Sequence, residues 1–203
     1  GGLEYLFGAE SADAAGAWGY RAWWGHDHKE EQRAFEQFID FVTACRAQDP
    51  ALHVYHYAAY EPSALKRLAG RFGSREAELD DLLRGQVFVD LYRVVKQGLR
   101  ASYAGYSIKD IEHFYMDKRA AEVTNAGASI VAYELWIESR DQKLLDGIER
   151  YNEEDCVSTR LLRDWLLARA AEARAQYGDP PSPPDASAGR PPGSDDKADA
   201  RHE

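Results

Sequence analysis

Residues 144–167 read LLDGIERYNEEDCVSTRLLRDWLL, and their pattern is the most informative in the chain about its fold. At roughly 100° per residue, one arc of a helix carries Leu144, Ile148, Tyr151, Asp155, Thr159, Leu162 and Leu166. The charged residues on or near the opposite side are Glu149, Glu153, Arg160, Arg163 and Asp164. The stretch therefore predicts an amphipathic helix whose apolar arc contains one carboxylate, Asp155.

An ionised Asp155 on a buried arc is costly, because an unpaired carboxylate loses its hydration when it leaves water. Two interpretations follow from the residues alone. In the first, Asp155 is paired with an arginine or with backbone donors, or it lies at the rim of the core. In the second, Asp155 is a metal ligand, and Tyr151 lies one turn earlier on the same face and points into the same site.

The spacing from Tyr151 to Asp155 also carries a resemblance. It forms a Y-x-x-x-D motif, which resembles the third exonuclease motif of the DEDDy subgroup of ribonuclease-H-like 3′–5′ exonucleases. The longer run YNEEDCVSTRLLRDWL resembles the YprB-like ribonuclease-H-like domain, which a YN-x-x-D-c-x-x-T-x-x-L-x-x-WL pattern closes. In some bacterial proteins that domain follows a RecB-like nuclease and precedes a helicase. The resemblance covers most of the chain up to Leu167.

A second acidic position lies in residues 56–65, HYAAYEPSAL, where a predicted strand leads into a helix. Pro62 suits the first helical position, but Glu61 before it is not a preferred capping residue. Glu61 is therefore either a surface acid in the first turn or a ligand at the sheet edge. The segment resembles the family's second motif, N-x-x-x-F/Y-D-x-x-x-L. Glu61 takes the aspartate position and His56 the asparagine position, and both depart from the pattern.

The remaining pattern alternates between strands and helices. It predicts strands at 3–9, 20–24, 52–58 and 86–91, and helices at 29–46, 62–71, 91–99, 108–115, 129–138 and 144–167. The fold class is α/β, and the resemblance implies a ribonuclease-H-like mixed sheet with flanking helices. We expect the first strand, with the family's D-x-E motif, to be missing. The expected domain is 1–177, N-terminally truncated, and 178–203 is a disordered Pro/Gly/Asp-rich linker or tail.

Composition restricts the function classes. The net charge of −10 argues against a broad surface that tracks phosphates, although carboxylates at a metal site are compatible with it. No run of apolar residues approaches the length of a membrane span. The two cysteines, Cys45 and Cys156, are far apart, which fits a reducing cytoplasm and no disulfide scaffold. The pairs His26/His28 and His53/His56 lack the thiolates of a typical zinc site.

The resemblance implies metal-dependent hydrolysis of nucleic-acid phosphodiesters from a 3′ end. Asp155 and Glu61 would bind two metal ions. Their carboxylate oxygens are hard ligands, which favour Mg²⁺ or Mn²⁺. Asp90 is a second-tier ligand, because it equally suits the cap of the following helix. Tyr151 would orient the attacking water. His56, and Lys109 in a segment that resembles the family's S-Y-S-L-K element, would contact the substrate.

The implied partners are single-stranded nucleic acid, more often DNA, and covalently linked nuclease and helicase domains of a longer chain. As an isolated fragment, the chain is expected to be inactive. One competing function is a non-catalytic ribonuclease-H-like module that binds nucleic acid or acts as a scaffold. A small-molecule-binding α/β protein is a third possibility, but no motif in the sequence supports it.

Overall fold

The computed structural model describes residues 2–100, 105–117 and 126–180. The strands are β1 (Leu6–Ala12), β2 (Trp18–Trp24), β3 (Val54–His56) and β4 (Phe88–Asp90). The helices are α1 (His28–Gln48), α2 (Tyr60–Phe72), α3 (Glu76–Arg84), α4 (Leu91–Gly98), α5 (Ile108–Ile111), α6 (Ala126–Ser139) and α7 (Gln142–Tyr177), with a 3-10 turn at Glu112–Phe114. The predicted α/β class is confirmed. The predicted tail lies outside the described residues from 181 onward.

The chain divides into two compact units, Gly1–Leu167 and Ala168–Glu203. In the second unit, the described residues continue α7 to Tyr177, and an ion pair joins Arg169 to Glu172 at 2.5 Å. All the candidate site residues belong to the first unit. No helix in the described ranges combines the length and the apolarity that crossing a membrane requires.

The hairpin β1–β2 is longer than the sequence predicted. It is antiparallel from Leu6↔Trp24 to Ala12↔Trp18, so β1 continues past Ala9, where the predicted strand ended. The turn is short because Asp13 Oδ1 accepts the backbone N–H groups of Ala15 and Ala17, at 2.8 and 2.9 Å. This Asx turn closes the hairpin, and the small residues next to it still pair between β1 and β2.

The two faces of the hairpin pack against different helices. On one face, Phe38 of α1 contacts the rings of Phe7 and Trp23, with centroids 6.0 and 5.6 Å away. On the other face, Trp24 Nε1 donates a hydrogen bond to the Glu149 carboxylate of α7 at 2.7 Å. Successive side chains of a strand point to opposite faces, so the hairpin is enclosed between α1 and α7.

The second pair, β3–β4, is parallel, with register Val54↔Phe88 to His56↔Asp90. Helices α2 and α3 form the crossover, and their apolar side chains pack with α1, Val54 and Phe88 on one face of the pair. On the other face, Leu162 of α7 packs in a cluster with Leu91 and Tyr55. The described strands form two separate sheets, β1–β2 and β3–β4, with no backbone pairing between them.

The contacts at the ends of β1 and β3 show that these strands run in opposite directions. Tyr60, just after β3, donates its hydroxyl to Glu4, just before β1, at 2.7 Å. At the other end, the Arg163 guanidinium lies 5.5 Å from the Tyr55 ring and 5.8 Å from the Trp18 ring. Trp18 is the partner of Ala12, the last residue of β1. The start of β3 therefore lies near the end of β1.

The predicted helix around Asp155 is present as part of α7. Its buried side chains are Leu145, Ile148, Ser158 and Leu162, so the apolar arc is correct at Ile148 and Leu162. Asp155 itself is only partly buried. The buried Ser158 hydroxyl donates to Glu112 Oε1 at 2.8 Å, which fixes the turn after α5 against α7.

Candidate functional site

A groove with a volume of about 850 Å³ lies between the hairpin and β3. Its sides are residues 6–12 of β1 and residues 54–56 of β3. One wall belongs to α1 and the start of α2, and its side chains include Phe38, Phe41, Val42, Cys45, Ala64 and Leu65. The other wall belongs to α7, with Asn152, Asp155, Cys156, Thr159, Arg160 and Arg163. The groove thus has one mainly apolar wall and one polar wall.

Three of the predicted site residues, His56, Glu61 and Asp155, line this groove. Glu61 lies in the first turn of α2, and its side chain is 51% exposed, whereas His56 at the end of β3 is 7% exposed. The distance between His56 Nδ1 and Glu61 Oε2 is 3.6 Å. The groove therefore brings together two acids that are 94 positions apart, Glu61 and Asp155, from separate helices.

His56 is held by the loop that leads into α2. Its Nδ1–H donates to the carbonyl of Ala58 at 2.6 Å. Burial alone disfavours the charged imidazole, but the Glu61 carboxylate and the Ala58 carbonyl stabilise it, so the pKa of His56 is raised overall. A protonated His56 is thus a cation at the same end of the groove as Glu61.

The polar wall of α7 follows helical spacing. Asn152, Asp155, Cys156, Thr159, Arg160 and Arg163 recur at intervals of three or four residues, which places them on one side of a helix. The sequence-based assignment of Arg160 and Arg163 to the side away from Asp155 is wrong, since all three line the groove. Asp155 lies where the buried arc of α7 meets this polar wall.

The two arginines are tied to the hairpin. Arg160 Nε donates to Glu10 at 2.9 Å, and its guanidinium lies 4.8 Å from the centre of the Trp18 ring. Trp18 was not singled out from the sequence, because it lay before the predicted strand at 20–24, in a connection rich in small residues. Here Trp18 is 45% exposed at the rim of the groove.

Asp90 serves a local structural purpose at the end of β4. Its Oδ1 accepts the N–H of Tyr92, as a helix cap, and the N–H of Ala58, at 3.0 and 2.9 Å. Ala58 has φ of 69°, a left-handed conformation that is strained for a residue with a Cβ. Asp90 therefore holds the bend that aims the chain from β3 into α2 and Glu61. It lines a separate cavity of about 520 Å³, together with His56, Lys66 and Arg93.

Tyr151 and Lys109 lie next to each other, with Lys109 Nζ 5.7 Å from the centre of the Tyr151 ring. Neither residue is part of the groove lining. Tyr151 is one turn before Asp155 on α7, as the motif predicted, and it is partly buried. Lys109 belongs to α5, which begins with a capping box between Ser107 and Asp110. The predicted site residues therefore form three groups: the groove set, the Tyr151–Lys109 pair and the Asp90 cap.

Asn152, which the sequence analysis did not single out, connects the site to the hairpin. The Tyr20 hydroxyl donates to Asn152 Oδ1 at 2.8 Å, and burial raises the pKa of Tyr20 well above its usual range. Tyr20 therefore remains a donor at any physiological pH. Next to Asn152, burial raises the pKa of the Cys156 thiol to about 12. Cys45 and Cys156 are both free and line opposite walls of the groove.

The described part of the chain does not contain a complete metal site. No group of three His, Cys, Asp or Glu side chains in residues 2–100, 105–117 and 126–180 is arranged to hold an ion. Glu61 and Asp155 are hard oxygen donors on one groove, but a hard divalent ion takes about six oxygens. These residues alone therefore do not fit a two-metal centre.

The fold contains a parallel strand pair joined by a crossover of helices, and two acids line a groove between strands. These features are those of a ribonuclease-H-like domain. The RNase_H superfamily model RNase_H_2 matches residues 1–167, and the chain belongs to this superfamily. No curated protein and no solved structure matches the chain. The superfamily indicates a nuclease-like module that processes nucleic acids.

Proposed function

We propose that this domain is a metal-dependent 3′–5′ exonuclease of the DEDDy, YprB-like type, acting on single-stranded nucleic acid and preferentially on DNA. The observation that carries the proposal is the convergence of Glu61 and Asp155 on one groove. Carboxylates on different elements are what a site needs to bind hard cations next to a phosphodiester. Membership of the RNase_H superfamily supports the same reaction class.

The proposed cofactor is a pair of Mg²⁺ or Mn²⁺ ions, which would stabilise the charge on the reacting phosphate oxygens. Glu61 and Asp155 would hold them, with further oxygen ligands from outside the described residues. Asp90 is the weakest of the proposed ligands, because its Oδ1 already accepts two backbone N–H groups. Its contribution would be to hold the Ala58 bend and so position Glu61.

The other residues of the site have proposed roles that need no metal. Tyr151 would present its hydroxyl, a hydrogen-bond donor, to the attacking water one helical turn from Asp155. Lys109, beside Tyr151, would contact a substrate phosphate. His56 would do the same from the Glu61 end, because its raised pKa favours the cationic form.

We further propose that the domain acts in a longer cytoplasmic polypeptide that carries a RecB-like nuclease and a helicase, with a role in DNA repair or processing. Such a context supplies the single strand that an exonuclease consumes. The two free cysteines are consistent with a reducing compartment.

A second candidate is a non-catalytic ribonuclease-H-like module that binds nucleic acid or acts as a scaffold. One observation favours it: within the described ranges, fewer than three metal-ligating side chains meet at any point. The two candidates differ in whether the complete polypeptide cleaves DNA, and not in the fold.

The test is a Mn²⁺-dependent assay of the full-length protein on single-stranded DNA labelled at the 5′ or the 3′ end. Asp155→Asn and Glu61→Gln should each reduce cleavage by at least about a hundredfold, since each removes a proposed ligand. Asp146→Asn is the matched control, because Asp146 is an exposed acid on the same helix that contacts Gln142.

The Asp146→Asn control should cleave the DNA as fast as the unmodified protein does. Cleavage that survives Asp155→Asn would exclude this site, and a full-length protein that binds DNA but never cleaves it would establish the scaffold function. Residues 1–203 alone should bind no Mn²⁺ tightly and should not cleave.

A further inference from the structure

The cavity of about 520 Å³ beside Asp90 lies between α2 and α4, and it is separate from the groove. Its polar lining includes Lys66 of α2 and Arg93 and Gln97 of α4. His56 and Asp90, the last residues of the parallel strands β3 and β4, line it as well. The carboxyl ends of parallel strands are where α/β folds bind ligands. This α2–α4 cavity is therefore in a position that suits a small-molecule or substrate subsite.

The two cations of the α2–α4 cavity are not used to hold the fold together. Within residues 2–100, 105–117 and 126–180, neither the Lys66 nor the Arg93 side chain forms an ion pair or a hydrogen bond. Other basic residues of the same region are paired, since Arg67 contacts Glu4 and Arg84 contacts Asp80. Internal ion pairing therefore does not explain why two cations line one cavity in a chain whose net charge is −10.

The charge of the α2–α4 cavity favours an anion. Among its described lining residues, Asp90 is the single carboxylate, and its Oδ1 already accepts the N–H groups of Ala58 and Tyr92. Glu61, the acid in the first turn of α2, lines the groove and not this cavity. Two cations thus face one carboxylate, and a concave site with an excess of positive charge attracts anionic ligands.

The N-terminus of α2 adds to this preference. Ala59, Pro62 and Ser63 line the same cavity, and in the described structure no side-chain hydrogen bond caps this helix of 13 residues. The Ser63 hydroxyl donates to the Ala59 carbonyl at 2.6 Å, so its proton is already used. The first N–H groups of a helix lack partners within the helix, and they and the helix dipole stabilise a phosphate group.

The remaining lining of the α2–α4 cavity is apolar. Leu83 and Phe88 contribute to it, and Val94 is 42% exposed beside Arg93. The volume of about 520 Å³ lies in the ordinary range for small-molecule sites, which combine apolar surface with a few polar groups. An inorganic anion would use only the cations. A nucleotide would use both parts, because it carries a phosphate together with a sugar and an aromatic base.

We infer that the α2–α4 cavity binds a nucleotide, with its phosphate at Lys66 and Arg93 and its sugar and base against Phe88 and Val94. The nucleotide is either free or part of a single strand, since the two have the same phosphate chemistry. The inference rests on the proposed function for the nature of the ligand, because a domain that processes nucleic acids encounters nucleotides. His56 and Phe88 line both the cavity and the groove, so the bound nucleotide lies beside the proposed reaction centre without occupying it.

The experiment is calorimetric titration of the full-length protein with thymidine 5′-monophosphate, inorganic phosphate, thymidine and a short oligothymidylate. The buffer contains EDTA, so binding does not depend on the proposed metal ions, and the result is independent of the nuclease assay. The double variant Lys66→Gln/Arg93→Gln removes the two cations of the cavity. The control Lys96→Gln/Arg100→Gln removes two exposed cations of the same region that do not line the cavity. Circular dichroism verifies that both variants fold.

The cavity variant should weaken binding of the monophosphate by about tenfold or more, since hydrogen bonds to charged groups are lost, and the control should not. Thymidine should not bind measurably. If the oligonucleotide binds and the monophosphate does not, the same loss for the oligonucleotide, with a shallower salt dependence, assigns the site to a phosphate within a strand. The inference is overturned if the two double variants lose affinity equally, if thymidine binds as tightly as its monophosphate, or if inorganic phosphate is the sole ligand.

Discussion

The Tyr20 hydroxyl donates a hydrogen bond to Asn152 Oδ1 at 2.8 Å, and this contact joins the hairpin to the helix that carries Asp155. Both residues lie beside Gly8 in the middle of β1. Asn152 is three residues before Asp155, so the contact fixes the rotation of α7 about its axis at the groove. The position of the proposed metal-binding carboxylate thus depends on a neutral hydrogen bond with no catalytic role.

Tyr20→Phe should destabilise the protein by about 0.5–1.5 kcal/mol, because the Asn152 amide oxygen loses its donor in a partly buried position. A double-mutant cycle with Asn152→Ala, measured by urea unfolding, should show coupling of similar size. Tyr177→Phe is the control, since Tyr177 is 78% exposed and should tolerate the change. Additive effects of the two changes would mean that the bond does not hold the helix.

Gly8→Ala should cost ~1–3 kcal/mol, the typical penalty for forcing atoms into a packed site. An added Cβ would lie 1.7 Å from Asn152 Oδ1 and 2.7 Å from the Tyr20 hydroxyl oxygen, so the pair would have to separate. Gly19→Ala on the adjacent strand is the matched control, because nothing lies within 4 Å of its added Cβ. Thermal unfolding of both variants checks the prediction, and equal melting temperatures would contradict it.

Glu31→Gln should destabilise the protein by ~3 kcal/mol, since it breaks an ion pair whose carboxylate is fully buried. Glu31 accepts hydrogen bonds from the backbone N–H of Glu4 at 2.8 Å and from Arg71 at 3.0 Å. These bonds attach the start of β1 to α1 and α2. Glu36→Gln, which alters a hydrogen bond from Gln32 on the same helix and an attraction to Arg75, should cost only about 0.2–0.5 kcal/mol. A neutral result for Glu31→Gln in chemical unfolding would show that the network is dispensable.

Alkylation of Cys156 should keep accelerating with pH where an ordinary thiol has levelled off. Burial raises the pKa of Cys156 to about 12, so the reactive thiolate gains about tenfold for each pH unit well above ~8.5. The measurement uses Cys45→Ser, with denatured protein as the control, and circular dichroism verifies that the fold persists.

The same shift has a consequence for stability. The folded pKa of Cys156 is above the unfolded one, so its contribution to stability is complete below the unfolded pKa and is lost as pH rises towards the folded value. A rate that reaches a plateau near pH 9 in the folded protein would contradict the buried environment assigned to Cys156.

The local elements and the identity of the acids are predictable from the sequence alone. The helical spacing of Ile148 and Leu162 identified the core side of α7. Pro62 indicated the start of α2 only to within two residues, since the helix begins at Tyr60 and Glu61 lies in its first turn and not at its cap. These features could be predicted because they depend on the periodicity of one segment and on the chemistry of single residues. The α/β class followed from the order of such segments.

Which of these residues meet depends on the packing of distant segments. Glu61 and Asp155 reach one groove because β3 runs opposite to β1 and α7 crosses both strand pairs, and no local pattern encodes those directions. The same packing places Asp90 where it accepts a hydrogen bond at the Ala58 bend. It also places Arg160 and Arg163 at the groove. Side-chain periodicity specifies which face of a helix is apolar, but the burial of each remaining position depends on neighbours that are distant in the sequence.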